Sequence, residues 1–209
     1  MVLVTKLLPA LALALAAWAP TAAAADLEST LLGEAEGLHP QALHAALASW
    51  ESLHAKGGAV RPLLCVIDYA LPSTAKRMWV FDLEAKRLLF HDLVAHGRNS
   101  GGDLAEWFSN EDGSYMSSLG TFLTGDAYEG KNGYSMRLYG VEPAVNDRAE
   151  ARAIVLHGAP YVDEGVAATL GRLGRSLGCP AVRPAIAHEL IDELKDGSVV
   201  YAWHPSLGQ

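Results

Sequence analysis

The chain has 209 residues, with 16 Lys and Arg against 24 Asp and Glu, which gives a formal net charge of −8 at pH 7. Hydrophobic residues make up 50% of it, which suits one domain with a sizeable core. Nucleic-acid binding requires clustered Lys and Arg, so the acidic balance and the lack of a basic tract argue against a nucleic-acid partner. The same charge pattern provides no polybasic segment for anionic lipids.

Residues 1–25 have the pattern of a secretory signal peptide. Lys6 precedes a run rich in Leu and Ala, and four alanines end the segment before Asp26. We expect cleavage near Ala25, a periplasmic or other extracytoplasmic location, and no stable membrane span after cleavage. The mature chain would then keep 184 of the 209 residues, and loss of Lys6 would change the charge from −8 to about −9. The alternative is an uncleaved membrane anchor, for which the apolar run is short.

Residues 26–58 predict an N-terminal helical segment. Pro40 stands at a helix start, Gly57 and Gly58 end the pattern, and between them apolar residues recur every three or four positions, namely Leu43, Ala46, Leu47, Trp50 and Leu53. We interpret this stripe as a face packed on the following domain, in preference to a surface that binds a partner.

Residues 59–209 predict one mostly β domain. Period-two patterns and turn residues indicate strands at 61–69, 77–83, 87–95, 120–124, 135–139, 153–157 and 198–203. Short strands joined by tight turns pair antiparallel, so we expect a β-sandwich or distorted barrel. Residues 184–196 predict a helix that follows Cys179.

A histidine and a cysteine carry the best indication of chemistry. His157 ends an apolar strand, and Cys179 follows it by 22 positions in a turn with Ser176 and Gly178. A thiolate attacks carbonyl carbon, and a nearby imidazole that takes the thiol proton supplies it at neutral pH. Backbone amides near Gly178 and Cys179 would be placed to hold the oxyanion.

These residues resemble a known family signature. His157-Gly158, seventeen intervening residues and Ser176-Leu-Gly-Cys179 are similar to the motif of the YkuD-like L,D-transpeptidase catalytic domain family, in its murein branch, and the likeness extends over roughly residues 60–185. The resemblance implies that Cys179 is the nucleophile and His157 its base, oriented by the carbonyl of Gly158. It also implies a β-rich fold, a thioester acyl-enzyme on peptidoglycan stem peptides, release of D-Ala and 3–3 cross-links.

Other functions remain open at this point. With water as acceptor, the same chemistry would make an L,D-carboxypeptidase, and a domain that kept only the fold would bind the cell wall without catalysis. Sortases also place His before Cys, but usually at a longer separation. We predict no metal and no organic cofactor.

Residues on the substrate side are less well defined. Many members of the wider family carry an Arg two positions after the Cys, whereas this chain has Ala181, so Arg175 and Arg183 are the nearest substitutes. His96, at the start of the glycine-rich segment 96–103, would either line a substrate groove or cap a turn. Asp103, Glu106 and Asp112 show no recognised metal-ligand spacing with His96.

The second cysteine has a different context. Cys65 lies within an apolar strand, where a thiol behaves as a small buried hydrophobe. We therefore disfavour a disulfide between Cys65 and Cys179 and expect a reduced Cys179 in a solvent-accessible turn.

Overall fold

The computed structural model describes residues 22–207. The predicted signal peptide lies mostly outside this range, and only residues 22–25 of it are described, as the first turn of a helix. The helices are α1 (Ala22–Glu34), α2 (Pro40–Ala55), α3 (Glu164–Leu170) and α4 (Pro184–Leu194). In the described part of the chain, no helix is both long and apolar enough to cross a bilayer.

Nine strands form one mixed sheet in residues 22–207. They are β1 (Leu63–Asp68), β2 (Met78–Asp82), β3 (Arg87–Asp92), β4 (Val94–Ala95), β5 (Gly120–Gly130), β6 (Gly133–Gly140), β7 (Val155–Gly158), β8 (Ala181–Val182) and β9 (Val199–Trp203). Their order across the sheet is β3-β2-β1-β9-β5-β6-β7-β8-β4. Neighbours are antiparallel except for β1 with β9 and β7 with β8.

The sheet nearly closes on itself. Its two edge strands, β3 and β4, follow each other in the chain with only Leu93 between them, so the two edges must lie close together. The predicted mostly β, distorted-barrel fold with an N-terminal helical segment and a helix after Cys179 is confirmed. Curvature of this kind brings the two edge strands together and so limits their pairing with other chains.

Of the three hydrophobic cores in residues 22–207, two lie on opposite faces of the sheet and share β1. Leu63, Cys65 and Ile67 point into the first core, together with α4, while Leu64 and Val66 point into the second, together with α1 and α2. All six residues of β1 are buried, because both faces of that strand are covered.

The N-terminal helices pack as the sequence predicts. Leu43 and Leu47 of α2 lie in the second core at 0% and 6% exposure, and each such side chain contributes about 1.5–3 kcal/mol by leaving water. His39, the residue before α2, keeps a side chain that is 43% exposed, and its Nδ1 lies 2.7 Å from the Asp68 carboxylate, which ties the start of α2 to β1. The domain division between residues 58 and 59 stays a prediction, although the second core crosses it.

Three local predictions differ from the structure. The single strand expected at 87–95 is split at Leu93, because β3 pairs with β2 whereas β4 pairs with β8 at the other edge. The strand expected at 120–124 continues through a bulge to Gly130. The short helix α3 was not predicted; Asp163 caps it, since its carboxylate accepts from Gly165 N and Val166 N.

Candidate active site

Strand β7 delivers His157 to the centre of the site. The strand is held on both sides, with His157 opposite Ser135 of β6 and Ala181 of β8. The imidazole is 6% exposed, and its Nδ1 lies 3.0 Å from the carbonyl oxygen of Gly158. A carbonyl oxygen can only accept, so Nδ1 carries the proton and Nε2 keeps a free lone pair. Burial lowers the pKa of His157, which keeps the ring neutral and ready to accept a proton at neutral pH.

Cys179 places its sulfur against the same strand. The backbone N–H of Val155, two residues before His157, donates to Sγ over 3.5 Å. On its other side Sγ lies 3.6 Å from the carbonyl oxygen of Ala153. The amide favours a thiolate, whereas the carbonyl accepts from a thiol, so the sulfur has a suitable partner in both protonation states.

The turn that carries Cys179 is buried, which corrects the expectation of a solvent-accessible turn. Cys179 is 8% exposed and belongs to the first core, and burial raises the pKa of its thiol. Within Ser176-Leu-Gly-Cys179, only Leu177 is exposed, at 53%. Burial also lowers the pKa of His157, so the two shifts favour a neutral thiol and a neutral imidazole over an ion pair.

Hydrogen bonds fix the shape of the turn. Ser176 Oγ accepts from Gly178 N over 3.0 Å and donates to the carbonyl oxygen of Cys179 over 2.6 Å. Ser117 Oγ donates to the carbonyl oxygen of Gly178 over 3.2 Å and accepts from Gly97 N. Because the Gly178 amide is already paired, it does not offer a free donor for an oxyanion as the sequence suggested. Ser176 therefore shapes the turn through its hydroxyl.

Glycine is required at position 178 for two reasons. Its φ of +126° is one that other residues rarely adopt, and a Cβ there would lie 2.8 Å from the carbonyl oxygen of Met116 and 2.9 Å from Ile154 Cδ1. The glycine thus permits close packing of the turn against the segment that contains Met116.

His96 lies on the other side of the turn. Its carbonyl oxygen accepts from Ser176 N, and its ring is 1% exposed. Arg77, which is fully buried, donates from Nη2 to His96 Nδ1 over 2.8 Å. Burial and the nearby Arg77 charge lower the pKa of His96 to about 4. The sequence leaves two interpretations of His96 open. Its burial does not fit a residue that lines a substrate groove, so the structure favours a structural role for His96.

Arg175 and Arg183 use their guanidinium groups within the protein. Arg175 Nη1 donates to the carbonyl oxygens of Arg98 and Gly101. Arg183 forms a two-pronged ion pair with Asp92, at 2.7 Å from Nε and 2.6 Å from Nη2. Ala181, at the position where many relatives carry Arg, is fully buried beside His157, so a charged side chain there would have to enter the core.

The remaining candidates are separated from the site. Cys65 and Cys179 are both free thiols. Cys65 is fully buried, and burial alone raises its pKa far above the ordinary value. Asp103 accepts from Ser73 Oγ and Thr74 N, and no group of three His, Cys, Asp or Glu in residues 22–207 is arranged to hold a metal ion.

Three contributors were not identified from the sequence. The sequence places Arg152 only at the start of a strand-like segment and Arg77 only at the edge of another, and it leaves Ser117 as either a peptide contact or an ordinary turn residue. Each reaches the site through contacts with residues far away in the chain, for which a single sequence gives no signal. The closest available hint was the position of Arg152, five residues before His157.

Residues 34–203 match the family described as L,D-transpeptidase catalytic domain. The chain therefore belongs to this family, and both His157 and Cys179 lie within the matched residues. A comparison with curated protein sequences finds no match.

Several solved structures are similar to the chain. The L,D-transpeptidase from Mycobacterium smegmatis is 13% identical with a TM-score of 0.44, over 68% of this chain and 59% of that one. L,D-transpeptidase 1 of Mycobacterium tuberculosis is 12% identical with a TM-score of 0.39, over 68% and 62%. The L,D-transpeptidase of Stackebrandtia nassauensis is 15% identical with a TM-score of 0.42, over 88% and 92%. The chain spans less than two thirds of the two mycobacterial proteins, so the family assignment rests on the match over residues 34–203.

Proposed function

We propose that the protein is an exported cysteine L,D-transpeptidase that acts on peptidoglycan stem peptides through a thioester on Cys179. Family membership supports the substrate class, and the pattern of residues 1–25 supports export. The observation that carries the chemistry is the contact between His157 Nδ1 and Gly158 O, which leaves Nε2 unprotonated on the strand that touches the Cys179 sulfur.

Acylation proceeds from the neutral pair. His157 Nε2 takes the thiol proton, and the sulfur of Cys179 attacks the carbonyl carbon of the third, L-centred residue of the stem. We assign the developing oxyanion to the backbone N–H of Cys179, which faces its own sulfur. As the C–N bond breaks, His157 returns the proton to the amine of D-Ala, which leaves, and a thioester remains.

Deacylation reverses these roles. The amine of a neighbouring stem attacks the thioester carbonyl, His157 Nε2 takes a proton from that amine, and the Cys179 sulfur leaves and recovers its proton. The product is a 3–3 cross-link. Water as the acceptor would instead release a tripeptide, which is the L,D-carboxypeptidase outcome.

Mass spectrometry of the purified protein with a disaccharide-tetrapeptide, with and without a second stem, tests this proposal. We expect released D-Ala, a transient adduct on Cys179 and a 3–3 dimer when the second stem is present. D-Ala with tripeptide alone would replace transpeptidation by carboxypeptidase activity. Unchanged substrate without an adduct would leave a non-catalytic wall-binding domain. Cys179→Ser is the matched control, and it should release no D-Ala.

A further inference from the structure

Arg152 makes an unusual set of contacts next to the catalytic turn. Its Nη1 donates to the carbonyl oxygen of Ser109 over 2.7 Å and to the hydroxyl of Ser118. Its Nη2 donates to the carbonyl oxygen of Met116 over 2.7 Å and to Ser114 Oγ over 3.1 Å. One guanidinium thus joins four groups of the segment 109–118, because its planar fork presents several donors at fixed angles.

The same guanidinium lies against the turn that carries the nucleophile. Arg152 Nη2 is 3.4 Å from the position that a Cβ on Gly178 would occupy. The residue after Arg152 is Ala153, whose carbonyl oxygen lies 3.6 Å from the Cys179 sulfur. The turn is therefore enclosed by the segment 109–118 and by Arg152, which fastens that segment in place.

The charge of Arg152 has no carboxylate partner within the described chain. Every partner of its guanidinium is a neutral carbonyl or hydroxyl oxygen. The nearby Glu111 and Asp112 pair instead with Arg148, at 3.0 Å and 2.6 Å. Burial lowers the pKa of Arg152, whereas the charges of Asp112 and an ionised Cys179 act in the opposite direction. A cation that is half-buried without a counter-ion stabilises negative charge that forms beside it.

Other titratable groups also face the sulfur. Lys131, on the turn between β5 and β6, is a second cation that favours the thiolate, and it is exposed. Tyr69 and Tyr161 are coupled to the sulfur as well, but burial raises both of their pKa values, to about 12 for Tyr161, so both are neutral at pH 7. Arg152 is thus the half-buried cation of the group, and water screens its charge less than that of Lys131.

We propose that Arg152 is a positioning residue that clamps the segment 109–118 onto the catalytic turn and stabilises the Cys179 thiolate when His157 removes the proton. The inference rests on the proposed function, for which a reactive Cys179 is required. It assigns two tasks to one side chain: the fork holds the turn, and the charge favours the nucleophile.

Alkylation of Cys179 by iodoacetamide measures the second task without any peptidoglycan. The reagent is neutral and reacts with the thiolate, so the rate as a function of pH gives the titration of Cys179, and peptide mapping separates it from Cys65. Failure of this experiment would count against Arg152 alone, whereas failure of the substrate assay above would count against the proposed reaction.

The variants are Arg152→Gln, Arg152→Lys and, as the matched control, Arg148→Gln. With Arg152→Gln we expect the alkylation midpoint to rise by about one pH unit, so that alkylation at pH 7 slows about tenfold. Arg152→Lys keeps the charge and should recover most of that rate. Arg148→Gln removes a cation that bonds to the same segment but pairs with carboxylates, so it should leave the midpoint unchanged.

Two results would overturn the inference. One is an unchanged midpoint in a folded Arg152→Gln variant, and the other is an equal shift in Arg152→Lys and Arg152→Gln, which would show that the charge has no role. If Arg152→Gln does not fold, Arg152→Met takes its place as the variant without the charge: a midpoint raised by about one unit supports the inference, and an unchanged midpoint refutes it.

Discussion

His96-Gly97 and His157-Gly158 are two occurrences of the same dipeptide, and they adjoin the two ends of the segment 176–181, because Gly97 pairs with Ser176 and His157 pairs with Ala181. His96 follows β4 and is 1% exposed, and His157 lies near the end of β7 and is 6% exposed. Their Nδ1 atoms meet opposite partners. Nδ1 of His96 faces a guanidinium, which can only donate, and Nδ1 of His157 faces a carbonyl oxygen, which can only accept.

This difference sets the protonation of the two rings. His96 must keep its proton on Nε2, so its lone pair is already used by Arg77. His157 must keep its proton on Nδ1, so its lone pair on Nε2 is free for the thiol. The two identical dipeptides thus differ in which ring nitrogen is left available, because one neighbour is a donor and the other is an acceptor.

The largest expected effect is the difference in turnover between variants of the two histidines. His157→Gln cannot transfer a proton, so we expect turnover of the tetrapeptide to fall by about 100- to 10,000-fold. His96→Asn keeps an acceptor near Nδ1 for Arg77, so turnover per folded molecule should stay within about threefold of the original, an effect under 1 kcal/mol. Turnover is measured as D-Ala release. Equal losses in two folded variants would contradict the assignment of the base to His157.

Removal of the donor to His96 should have the next largest effect, on stability. Arg77 also donates to the carbonyl oxygens of Leu71 and Val94, so Arg77→Met leaves two buried acceptors and one partly buried acceptor without their donor. We expect the free energy of unfolding in urea to fall by about 3–5 kcal/mol. Arg137→Met is the control: its ion pair with Asp126 is exposed, so its loss should change stability by less than about 1 kcal/mol. A similar small loss for Arg77→Met would show that the Arg77 contacts contribute little.

The low pKa of His96 predicts a loss of stability in acid. The folded-state pKa of about 4 lies below the ordinary 6.5, so the unfolded chain binds a proton first as the pH falls. The contribution is fully present above about pH 6.5 and is lost toward pH 4, with a total of up to about 3 kcal/mol. Urea unfolding of the original protein and of His96→Asn at several pH values isolates the contribution of His96 to the free energy of unfolding. Parallel curves for the two proteins would contradict this origin.

The smallest expected effect concerns the pH dependence of activity. Burial lowers the pKa of His157, and only the neutral ring accepts the thiol proton. As the pH falls, kcat/KM for the tetrapeptide should therefore reach half of its plateau below the ordinary histidine pKa of 6.5. A half-point at or above 6.5 in the free enzyme would argue against a buried, neutral His157.

Local patterns in the sequence were enough for several parts of the structure. Alternation predicted most strands to within a few residues, and the three-and-four spacing predicted the packing of α2. The pairing of β4 with β8 was not predicted, because two-residue strands have too few residues to show a period.

For the site, the sequence placed His157 at a strand end and Cys179 in a tight turn with Ser176 and Gly178, because strand periodicity, glycine and a short motif are local properties. Only the tertiary structure decided that this turn is buried, that the Gly178 amide is already paired, and that Arg77 and Arg152 stand on either side of it. Burial, the tautomer of each histidine and the charge beside the thiol depend on side chains that meet only after the sheet has closed, and their separation in the chain hides them from any local pattern.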